Sequence, residues 1–124
     1  MGSDEASATF NAMGGATLVA VTFIWDYVQL RFEGLQLTDV AQLTTYVLPT
    51  VTLAHRSWTS REDGWRDSIC ARIGAVLRRA CCSDRRLRLD FEDGAVLAVS
   101  LRDEDCIGPE AFTLSVPGHD LIVG

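Results

Sequence analysis

Four cysteines, two histidines and seventeen carboxylates are the side chains of this 124-residue sequence with the most evident chemical potential. Cys70, Cys81, Cys82 and Cys106 do not form the CxxC pairs that announce a zinc site, and neither His55 nor His119 stands at a ligating interval from them. The pattern predicts a helix over 62–82. On it Cys70 and Cys81 would lie ~16 Å apart, too far for a disulfide, on an apolar face where a thiol packs as a small hydrophobe. A reactive thiolate needs positive potential. Cys81 and Cys82 would sit at the negative end of that helix, and Cys106 follows three acidic residues. There is no glycine-flanked serine of the nucleophile-elbow type, His119-Asp120 has no nucleophile to serve, and phosphate-cradling glycine loops are missing. The sequence carries no readable catalytic residue, metal-ligand set or cofactor motif.

The carboxylates gather in two places. Asp90, Glu92 and Asp93 end one alternating run, and Asp103, Glu104, Asp105 and Glu110 crowd the loop after the next. Divalent-ion binding requires oxygens converging from a defined loop, and the EF-hand pattern is missing. Solvation or a protein-facing surface is therefore expected, with Asp103, Glu104, Asp105 and Glu110 as the candidate interaction loop. Gly108-Pro109 would present Glu110 in a fixed direction. Arg78, Arg79, Arg85, Arg86 and Arg88 form a basic run without interleaved aromatics. They suit a helix carboxyl end and the solvent face of a strand better than a nucleic acid. The net charge of −6 and pI near 4.7 also disfavour a phosphate backbone and are compatible with a basic protein partner. All eleven basic residues are arginine, which reads as the codon usage of a GC-rich, bacterial genome.

The elements that must position these residues follow from periodicity. Val19, Val21, Phe23 and Trp25 share a face at period two. The phase then shifts to Val28, Leu30 and Phe32, which places a turn or bulge near Asp26-Tyr27. Glu33-Gly34 predicts a tight hairpin opposing Phe32 to Leu35 and Leu30 to Leu37. A strand is expected over 46–54, with Pro49 marking an edge or bulge.

On the helix expected over 62–82, Thr59 or a neighbouring hydroxyl and Glu62 suggest a capping box. Trp65, Ile69, Cys70, Ile73, Val76, Leu77, Ala80 and Cys81 would fill one face. Gly74 inside it suggests a strand passing close by. Ile73→Asp is the change expected to break the fold. A second hairpin has two candidate registers. A two-residue loop buries Asp90 and Arg88 against apolar groups, whereas a Glu92-Asp93-Gly94 loop opposes Leu89 to Leu97 and Leu87 to Val99. The second is favoured. A final strand over 111–116 and an apolar tail at 121–123 complete the pattern. The expectation is an N-terminal extension, 1–14, followed by a single α+β domain, 15–124. That domain would be an antiparallel sheet of five to seven strands with one long amphipathic helix packed on it.

Two stretches together, Tyr27-Val28-Gln29-Leu30-Arg31-Phe32-Glu33-Gly34 and Phe91-Glu92-Asp93-Gly94-Ala95-Val96-Leu97 running on to Gly108-Pro109-Glu110-Ala111, resemble a group of small bacterial proteins of unknown function. Some of these are similar to immunity-type proteins that neutralise toxins. The resemblance implies a compact α+β fold without enzymatic activity and carries over no catalytic residue. No apolar run reaches the length of a membrane span, and the first residues lack the basic start of a secretory signal, so a cytoplasmic protein is expected. The leading functional expectation is a non-catalytic protein-binding domain, immunity-like by resemblance, with a basic partner or a second copy of itself. The alternative is a small-molecule-binding domain or an enzyme of unrecognised type, with Trp25, Trp58, Trp65 or Tyr46 lining a cleft.

Overall fold

Alternating apolar and polar residues drive ten segments of the described chain into strands. The computed structural model describes residues 3–34, 37–106 and 108–124. Its strands are β1 (Thr17–Ile24), β2 (Tyr27–Glu33), β3 (Ala41–Thr45), β4 (Thr50–Leu53), β5 (Arg56–Trp58), β6 (Leu77–Cys82), β7 (Arg86–Phe91), β8 (Val96–Ser100), β9 (Phe112–Ser115) and β10 (Ile122–Val123). They form two antiparallel five-stranded sheets, ordered β1-β2-β3-β9-β10 and β5-β4-β8-β7-β6. Two α-helices, α1 (Ser3–Ala12) and α2 (Trp65–Cys70), complete the regular structure apart from a 3-10 turn at Asp103–Asp105. Neither helix is long and apolar enough to cross a membrane.

The sheets meet along a seam. Leu77 N donates to Ala16 O (2.7 Å), Leu18 N to Ala75 O (3.0 Å) and Gly74 N to Leu18 O (2.7 Å), so the outer side of β1 is paired with the segment entering β6. Inner faces from both sheets close on one core. Leu18, Leu30, Phe32, Leu43 and Phe112 come from the first sheet, and Leu77, Leu87, Leu89, Phe91 and Leu97 from the second. Each such side chain contributes about 1.5–3 kcal/mol by leaving water. Phe10 of α1 and Met13 just beyond it are buried in the same cluster.

The architecture is mostly β, which overturns the expected α+β layout with one long amphipathic helix. Of the helix expected over 62–82, only Trp65–Cys70 is helical, and residues 77–82 are a strand. The cause lies in a β-bulge between Leu77 and Arg79, which leaves Leu77 and Ala80 both facing inward, three residues apart. A bulged strand thereby reproduces the spacing of a helical face. Between the two pieces the chain turns, with Gly74 at φ +94° and open space where a side chain would project. Its glycine therefore answers to backbone conformation, not to crowding, although β1 does reach it through Leu18 O. Cys70 and Cys81 are exposed and Ile73 is 47% exposed, so none of the three belongs to the core.

The hairpin expected at Glu33-Gly34 is replaced by a longer connection: Leu30 pairs with Leu43 and Phe32 with Ala41. The strand expected over 46–54 is divided, with β3 ending at Thr45 and β4 starting at Thr50 in the other sheet. Pro49 sits in this crossing, where its missing N–H costs no ladder bond. The second hairpin has the favoured register, Leu89 opposite Leu97 and Leu87 opposite Val99, with Gly94 at φ +92°. Leu35 of the expected first hairpin, Ile107 of the expected interaction loop and the first two residues of the expected extension lie outside the described residues.

Candidate functional site

Two surface features stand out, and different elements build them. The first begins at the β1–β2 turn. Ile24 pairs with Tyr27, leaving Trp25 and Asp26 as the two turn residues. Trp25 adopts φ +39°, a conformation that tight turns normally assign to glycine, and its side chain is 99% exposed. A large indole held in water on an unfavourable backbone points to a function outside the fold's own packing.

Beside this turn, Asp26, Tyr46, Gly108, Pro109 and Glu110 line a depression of about 220 Å³. The Tyr27 and Tyr46 rings meet at a tilt of 46°, their centroids 5.8 Å apart. Tyr46 is fixed where the chain leaves β3, its N–H bonded to Ala111 O at 2.7 Å. Asp26 and Glu110 have no ion-pair partner among the described residues.

The structure thus brings Glu110 to Asp26 and Tyr46 but gives the rest of the expected loop a different environment. Asp103, Glu104 and Asp105 form the exposed 3-10 turn and are not among the residues lining this depression. Glu104 pairs with Arg102 at 2.6 Å, and Asp105 accepts from Ser100 Oγ at 2.5 Å. The turn is held largely by its own neighbours. Sequence reasoning weighed Trp25 and Tyr46 only as cleft walls and made no use of Asp26 as a site residue. The phase shift at Asp26-Tyr27 was the one signal pointing there.

The second feature is a cleft of about 330 Å³ between β4, β5 and α2, lined by Val51, Leu53, Arg56, Trp58, Asp67, Arg72 and their neighbours. The Arg56 guanidinium lies 4.7 Å over the Trp58 ring. Thr59 and Glu62 make the expected cap-like contact, Thr59 N donating to Glu62 Oε1 at 3.3 Å, but they close the loop before α2, whose first turn follows Gly64. Trp65 is buried and donates its indole N–H to Pro49 O at 2.7 Å, so it anchors α2 and does not line the cleft. Arg72 is 7% exposed. Its Nη1 lies 3.1 Å from Asp93 Oδ2, yet among the described residues Nε and Nη1 both lack a hydrogen-bond acceptor.

A third charged group serves the fold. Asp90, 8% exposed on β7, accepts from Arg79 Nε at 2.9 Å and Arg88 Nε at 2.6 Å. Burial pushes its carboxyl upward, but the two guanidinium hydrogen bonds outweigh it and hold the group below the usual range. Partial burial pushes the Cys82 thiol up, which makes it a poor nucleophile. Among the described residues no three His, Cys, Asp or Glu side chains cluster as a metal site. Compared with family models, curated proteins and solved structures, the chain finds no match.

Proposed function

We propose that this chain is a non-catalytic protein-binding domain that receives a basic partner on the surface formed by Trp25, Asp26, Tyr46, Pro109 and Glu110. The observation that carries this reading is Trp25, fully exposed on a turn whose backbone disfavours it. Tryptophan is the side chain most enriched among residues that dominate binding energy, because it removes a large rigid surface from water at little entropic cost. Asp26 follows Trp25 in the turn and lines the depression with Glu110, and neither carboxylate has an ion-pair partner among the described residues. Arginine or lysine side chains of a partner would supply those cations, and the net charge of −6 would steer such a partner inward. The resemblance to immunity-type proteins makes a basic toxin one such partner.

The test is paired affinity capture from the source cell with the parent chain and with Trp25→Ala as bait, each first shown to fold. The expected outcome is a stoichiometric basic protein held by the parent, released by salt and lost with Trp25→Ala. Equal capture by both baits, or self-association alone in light scattering, would remove the proposal.

A further inference from the structure

We infer that the cleft between β4, β5 and α2 is a binding site for a small organic monocarboxylate with an apolar or aromatic body, recognised by Arg72. This inference rests on residues separate from those of the proposed partner surface.

Arg72 supplies the first argument. A guanidinium has five N–H donors and cannot shed its charge in a protein. Here it is nine-tenths buried, its Nε and Nη1 are shielded from solvent, and neither finds an acceptor. Asp93 lies at ion-pair distance from Nη1 but is not aligned as a hydrogen-bond partner, and its other oxygen already accepts from Ala95 N at 2.8 Å. Buried donors left in this state cost free energy that a properly placed anionic oxygen recovers. Arg72 is among the residues that line the cleft, so an occupant's anionic oxygen can approach the guanidinium from that side.

The remaining lining defines the rest of the ligand. Val51, Leu53 and Ala71 present apolar surface, and Trp58 adds an indole already backed by Arg56. The space, about 330 Å³, is at the lower end of the range for small-molecule pockets. Arg56, Arg72 and Asp67 share this lining, and Asp93 lies 3.1 Å from Arg72, so the charges around the cleft balance. A monoanion is the anion such a site takes at least cost, because the two carboxylates repel a dianion such as phosphate more strongly.

The experiment titrates the full-length chain with benzoate, its neutral isostere benzamide, and inorganic phosphate, following the Trp58 indole and Ala71 amide signals by NMR. Benzoate is expected to shift both signals saturably, while benzamide and phosphate leave them in place. Arg72→Met should weaken benzoate by about tenfold or more, the loss of a charge-assisted hydrogen bond. Asp67→Asn should tighten it by removing the repelling charge. Asp67 is exposed, so this second variant decides the matter should Arg72→Met fail to fold. The inference is overturned if the parent shows no saturable response to benzoate, if benzamide acts equally, if phosphate is preferred, or if Asp67→Asn leaves benzoate affinity unchanged.

Discussion

Asp90 and Arg72 are buried almost equally, at 8% and 7% exposure, yet one is saturated with partners and the other is not. Asp90 lies on a regular strand, and two guanidinium nitrogens approach its two oxygens. Arg72 follows a six-residue helix that ends in a turn, and the carboxylate at ion-pair distance from it comes from the tip of the β7–β8 hairpin. Burying an ion costs several kcal/mol after relaxation, and only well-formed hydrogen bonds offset that cost. The Asp90 cluster repays its burial within the fold. Arg72 does not, and an unmet demand of this kind beside a cleft is where an outside molecule has something to supply.

The contrast can be broken most forcefully at Asp90. Replacement by Ala removes both acceptors and should cost about 2 kcal/mol in a denaturant melt at neutral pH. The pH dependence has a definite sign. A carboxyl held low in the folded state contributes in full above its unfolded pKa of about 3.9 and loses that contribution as pH falls through the folded value. The parent and Asp90→Ala should therefore differ at neutral pH and converge in acid. Arg72→Met comes next. It removes a buried charge with unmet donors but leaves Asp93, 37% exposed, without its ion partner, so the two effects offset and stability should change by less than about 1 kcal/mol. A large loss instead would show that Asp93 satisfies Arg72 after all. The smallest effect belongs to Ile73→Asp, expected to change stability by less than about 0.5 kcal/mol because the side chain is 47% exposed.

That last expectation reverses the one drawn from sequence, and the reason is instructive. The second hairpin could be read to its register because a wrong pairing would have set Arg88 and Asp90 against Val99 and Leu97. The region 62–82 could not, because two devices without a sequence signature lie within it. One is the bulge that keeps Leu77 and Ala80 on one side, and the other is a left-handed turn at Gly74. A similar bulge between Leu18 and Ala20 explains why Leu18 is buried and Val19 is 38% exposed, although the expected face began at Val19. Of the candidate site, Glu110 and its Gly-Pro turn were legible, as was Trp58 as a cleft wall. The neighbours Asp26 and Tyr46 were not grouped with Glu110, because their proximity depends on a chain crossing between sheets that local periodicity does not encode. Arg72 was overlooked for the same reason, since its burial is a property of tertiary packing alone.

The seam between β1 and the segment entering β6 has a consequence for behaviour in concentrated solution. Unpaired strand edges are templates on which other chains can add, the first step of aggregation and domain swapping. Here the start of β1 and the segment entering β6 satisfy each other through Ala16, Leu18, Gly74, Ala75 and Leu77. At the far sides of the sheets the outer strands are β10, two residues long, and β5, three residues long and carrying Arg56. Such short edges, one of them charged, offer little purchase for an added strand, which leaves β1 beyond Leu18 as the longest stretch on which one could pair.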